Sequence, residues 1–162
     1  MSALERFSQK INRFFLWVAG FFLVAMIAMT CGNIFSRLIW APLKGTFELM
    51  GFFGALVTAF VLGYTQIKKA HISVDILVNH FSRNARRILK AVNSFICMIF
   101  FAMAGWQICK MAATLRNTGE VTETLRIIYY PFTYGVGLGC FLLTLVLLVE
   151  FGSALRSPNG DQ

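Results

Sequence analysis

Four apolar runs, each long enough to cross a lipid bilayer as a helix, take up most of this chain and leave no room for a soluble domain between them. They extend from about Phe14 to Ile39, Phe47 to Thr65, Ala91 to Cys109 and Ile127 to Phe151. A helix needs roughly 20 apolar residues to span a hydrocarbon core about 30 Å thick. Inside lipid, a helix also satisfies its own backbone polar groups. Composition agrees, because the 162 residues are 57% hydrophobic and 14% charged, with 17 Phe. That is too little charge to cover a soluble surface. The expected fold is one all-α integral membrane domain over residues 1–162, with four transmembrane helices.

The formal charge of +8 does not point to nucleic acid, since the basic residues sit in short connections beside the apolar runs. The N-terminal tail holds Arg6, Lys10 and Arg13, and the connection from 66 to 90 holds Lys68, Lys69, Arg83, Arg86, Arg87 and Lys90. The C-terminal tail adds Arg156 to the same side. The opposite side has the smaller set Arg37, Lys44, Lys110, Arg116 and Arg126. Basic loops favour the cytoplasm and anionic head groups, so both termini are expected inside. The first run is longer than the 7–15 residues of a signal-peptide core and reads as a retained span. Cys31, Cys97, Cys109 and Cys140 form no Cys-x-x-Cys pair, so they read as small packing residues and not as a redox or zinc motif.

The polar groups between the first two runs form a hairpin from Asn33 to Glu48, turning near Pro42 and Gly45. Asn33 and Arg37 lie one turn apart at the end of the first helix, and Glu48 opens the second. Those positions suit their charges, because helix C-termini favour cations and N-termini favour anions. A paired charge at membrane depth costs less than a lone one, so an Arg37–Glu48 clamp is expected. The alternative is that both are ordinary interface residues solvated by head groups. Small residues let helices approach closely in lipid. Gly51, Ala55, Ala59 and Gly63 make such a stripe in span two, and Ala25, Ala28, Gly32 and Ser36 make another in span one. Gly135 and Gly139 supply a Gly-x-x-x-Gly pair in span four.

The connection after span two reads as a short amphipathic helix in the head-group layer, with His71 and Asp75 one turn apart. Without a nucleophile nearby, that pair reads as a structural hydrogen bond. Asn117-Thr118-Gly119 marks a helix stop before the last connection. On the outer side, Trp40, Lys44, Glu120 and Glu123 are the residues offered for docking. The spans carry no ionisable residue near mid-membrane, which a self-sufficient transporter would use. They also lack the paired intramembrane histidines of a haem subunit. Two classes remain: a helper subunit of a larger transporter, or a membrane-anchor or electron-transfer subunit of an oxidoreductase.

The order of these features resembles the small membrane subunit of tripartite ATP-independent periplasmic (TRAP) transporters, the DctQ-like small permease. The resemblance rests on Asn33-x-x-x-Arg37 closing span one, Glu48 opening span two, His71-Ile72-Ser73-Val74-Asp75 after it, and Gly119, Thr124 and Pro131 near span four. It implies a non-catalytic subunit in a bacterial inner membrane, partnered by a large DctM-like permease and a periplasmic substrate-binding protein. It further implies sodium-driven import of organic acids, such as sialic acid or C4-dicarboxylates. The Na+ site would belong to the large subunit, and this chain would bind no cofactor. Asn33, Arg37, Glu48, Gly51, Ala55 and Ala59 are then expected at the helix hairpin and partner interface.

Overall fold

The computed structural model describes residues 3–39, 41, 43–68 and 83–156. The expected interfacial helix with His71 and Asp75, and also Trp40, lie outside them. Four α-helices follow in order: α1 (Ala3–Ile39), α2 (Thr46–Ile67), α3 (Arg83–Thr118) and α4 (Tyr130–Arg156). All four contain a stretch long and apolar enough to cross a membrane. No strand occurs among the described residues, only an isolated antiparallel bridge between Val121 and Ile128.

Two helices exceed the spans expected from hydropathy. With 37 residues, α1 is about 55 Å long at 1.5 Å per residue. It begins well before Phe14 because nothing between Ala3 and Phe14 breaks a helix, so the cationic tail is helical too. Likewise α3 continues past Cys109 to Thr118. It stops at Gly119, whose φ of 68° is the left-handed conformation that commonly ends helices. The Gly119 N–H donates to the Leu115 carbonyl at 3.1 Å.

In space the helices form a row, α1–α2–α4–α3, with α1 touching α4 only lightly. The central helix α4 is packed on two sides. Its Gly135 lies under the Leu56 side chain and its Gly139 against the Ala59 backbone of α2, whereas Gly137 receives Cys109 of α3. Between α1 and α2 the contact is aromatic: Phe15 meets Phe60 at 4.8 Å and Phe22 meets Phe53 at 5.1 Å between ring centroids. Phe52 of α2 stacks on Phe132 of α4 at 4.3 Å. Such pairs contribute about 0.5–1.5 kcal/mol each beyond area burial, and packing of this kind drives association in lipid.

The small-residue stripes therefore divide their roles. Ala59 and Gly63 are buried, but Gly51 and Ala55 are exposed, as are Ala28 and Gly32 of α1. Helices α1 and α2 pack against each other through interlocked rings, which fill space that small residues would leave empty. At one end of the row, Asn12 of α1 seats against Gly63, and the Gln66 side-chain amide donates to the Glu150 carboxylate at 2.8 Å. These contacts bring the start of α1 and the end of α4 to the same side, with the hairpin at the other.

Candidate functional site

At the hairpin end, short hydrogen bonds shape the turn between α1 and α2. The Asn33 side-chain oxygen accepts from the Leu43 N–H at 2.9 Å. The Ser36 hydroxyl donates to the Ala41 carbonyl at 2.7 Å, and the Thr46 hydroxyl donates to the Leu43 carbonyl at 2.9 Å. Gly45 precedes α2 with φ 80°, a conformation that only glycine adopts without strain. Asn33 is thus a staple of the turn itself.

The expected Arg37–Glu48 clamp is not formed. Among the described residues no ion pair joins them. Arg37 is exposed, and the Glu48 carboxylate is engaged elsewhere. One Glu48 oxygen accepts from the Thr124 N–H at 2.8 Å and the other from the Leu125 N–H at 3.1 Å. The Thr122 and Thr124 hydroxyls add favourable contacts to the same group. Hydrogen bonds to an ionised acceptor are the stronger kind. Two aligned backbone donors satisfy both carboxylate oxygens without a long cation having to be ordered.

The donors belong to the connection between α3 and α4, which folds into a compact turn. The Thr122 N–H donates to the Ile127 carbonyl at 2.9 Å, and the Ile127 N–H donates back to the Thr122 hydroxyl at 3.0 Å. The Tyr129 N–H reaches the Glu120 carbonyl at 3.4 Å. Thr122 is buried, and Arg126 takes a positive φ of 53° to close the turn. This places the Leu125 side chain directly over Gly45, in the space a β-carbon there would occupy. The two connections at this end are therefore one structural unit, held by Glu48 and by Leu125 on Gly45.

Gly45→Ala should test that unit. It adds a left-handed backbone penalty of about 1 kcal/mol to a collision with the Leu125 side chain at the low end of the overpacking range, about 1 kcal/mol, for a combined loss of about 2 kcal/mol. Thermal unfolding of the purified chain should show a lower midpoint. An unchanged midpoint would mean that Leu125 does not seat there.

Of the residues offered for docking, Lys44, Glu120 and Glu123 are all exposed. Lys44 adjoins Gly45 in the chain and Glu123 adjoins Thr124, so both flank the clamp. The Glu120 carboxylate accepts from the Thr118 hydroxyl at 3.5 Å. Thr122 and Leu125 were not singled out by their sequence positions. The available signal was Glu48 itself, a carboxylate at a span end that had to find donors. Among the described residues, no group of three or more His, Cys, Asp or Glu could hold a metal ion. What the arrangement supplies is a rigid polar rim, with Arg37 and Lys44 left outward as cations.

A family model described as tripartite ATP-independent periplasmic transporters, DctQ component, matches residues 26–157. No curated protein and no solved structure matches the chain. The matched segment takes in the hairpin, the Glu48 clamp and all of α2, α3 and α4.

Proposed function

The chain belongs to the DctQ component family of tripartite ATP-independent periplasmic transporters, and from that premise we propose that it braces a larger permease subunit without forming a solute path of its own. It is a small subunit of a transporter and not an enzyme. The carrying observation is the helix row α1–α2–α4–α3, whose edge helices α1 and α3 keep long apolar faces open. A single layer of this kind suits lateral packing against further helices.

In this reading the end with both termini faces the cytoplasm, because most Lys and Arg lie there. The hairpin and the Glu48-bound loop then face the periplasm, where Lys44, Glu120 and Glu123 meet the substrate-binding protein. Arg37, free of Glu48, serves the large subunit at the same rim. Sodium coupling and the organic-acid site belong to that larger partner, and sialic acid or a C4-dicarboxylate is the cargo class proposed. The oxidoreductase alternative is set aside, since the family is a transporter component.

Co-expression with the large subunit tests the bracing role. Arg37→Ala should recover several-fold less large subunit on co-purification while leaving the yield of this chain unchanged. Equal recovery would remove Arg37 from the interface. Sodium-dependent solute flux through this chain alone in vesicles would overturn the proposal itself.

A further inference from the structure

The third apolar run of the sequence ends at Cys109, which leaves Lys110 to the outer connection. The packing of α3 on α4 draws it inward. Cys109 seats against Gly137, and Gly105 lies beside Cys140. Lys110 therefore stands about 10 Å below Tyr130, the first residue of α4, at 1.5 Å per residue. From that level to Glu150, near the inner end of α4, the rise is only about 20 Å. A hydrocarbon core about 30 Å thick that leaves Glu150 at its inner surface covers Lys110 by about 10 Å. Helix tilt only increases that overlap.

Lys110 is not the only polar group at this depth. Residues 103, 107, 110, 114 and 117 recur at alternating steps of four and three, so they share one face of α3. They read Met103, Gln107, Lys110, Thr114 and Asn117, and all are exposed. The opposite face carries Gly105 and Cys109, which meet α4, and the fully buried Ala112. Because α3 is an edge of the row, the polar stripe points away from the other helices. Neither the Gln107 amide nor the Lys110 ammonium is hydrogen-bonded to a described residue.

We propose that this stripe docks a transmembrane helix of the large subunit that carries a carboxylate opposite Lys110 and a hydrogen-bonding side chain opposite Gln107. The inference rests on the bracing role above and assigns that role to the α3 edge. Cations within a membrane are costly alone and pair with an opposite charge. Lysine by itself could bend toward the head groups. Gln107 cannot, since it lies one turn deeper, and lipid tails offer its amide no partner. A second copy of this chain supplies no carboxylate at this level. The acids of its spans are Glu48 and Glu150, both near span ends and both hydrogen-bonded.

The test uses the full chain co-expressed with the large subunit. With Gln107 replaced by photoreactive benzoylphenylalanine, illumination should crosslink the chain to a transmembrane helix of that subunit, within one turn of an Asp or Glu. Lys110→Glu should lower recovery of the large subunit several-fold, while the isolated variant keeps the parent's elution volume. Exchanging the mapped carboxylate for lysine should then restore recovery. Crosslinking to lipid alone, or to a second copy of this chain, would overturn the proposal. So would parent-level recovery with Lys110→Glu, and bracing would then stand without the α3 stripe, because the parent chain still brings the large subunit with it. A parent chain that recovers no large subunit would instead end the bracing reading, and this docking with it. Should Lys110→Glu misfold, the crosslink from position 107 still decides, since that chain keeps Lys110.

Discussion

In the Glu48→Gln protein, the amides of Thr124 and Leu125 should exchange with solvent on the order of ten-fold faster than in the parent, reflecting the loss of charge-assisted acceptors. Each carboxylate oxygen takes one of these donors. Glutamine keeps a single acceptor and turns an NH2 group toward the other N–H, so one bond is lost and a donor–donor contact appears. The Thr122 amide, bonded to the Ile127 carbonyl within the turn, serves as an internal reference and should change little. Hydrogen exchange with residue resolution distinguishes this local release from general unfolding. Unchanged exchange at both amides would show that the loop is held by Leu125 on Gly45 and not by Glu48. A released loop would also disorganise the rim next to Lys44 and Glu123, so under the docking role proposed for those residues uptake by the assembled transporter should fall although the isolated chain remains folded.

The contrast between Arg37 and Glu48 shows what the sequence could and could not specify. The four helices were legible because run length in lipid leaves little choice of conformation, and Gly119 gave the end of α3 through its backbone freedom. The polarity of Glu48 and its place at a helix start were legible for the same local reason. Its partners were not, because they are backbone amides on a loop 76 and 77 residues away, and amides are present in every loop. A guanidinium one short turn away looked like the nearer answer. Distance along the chain misled, since the loop between α3 and α4 folds back over the hairpin. The N-terminal extension of α1 was hidden by its charge, which limits hydropathy without limiting helicity. The stripe of Gly51, Ala55, Ala59 and Gly63 was visible, but which neighbour it would meet depended on the aromatic contact between α1 and α2.

That division of the stripe leads to the largest stability effect expected in the chain. A β-carbon on Gly139 would stand 2.6 Å from both the β-carbon and the carbonyl oxygen of Ala59. A side chain there cannot be accommodated by rotamer changes alone, because a backbone carbonyl inside α2 is fixed by its own helix. Gly139→Val should therefore reach or exceed the upper end of the range for overpacked cores, about 3 kcal/mol, and separate α4 from α2. In size-exclusion chromatography of the detergent-solubilised protein, the monodisperse peak should be largely lost. Gly51→Val is the matched comparison, since nothing lies within 4 Å of the added carbon. Replacing glycine in a helix with a residue of higher propensity should leave the isolated chain as stable or more so, by up to about 0.5 kcal/mol. If the open part of the stripe receives the large subunit, Gly51→Val should instead lower co-purification of that subunit with no loss of the chain itself. A Gly139→Val protein with the parent's peak and midpoint would mean that α2 and α4 are not in backbone contact, and the row of helices would have to be redrawn.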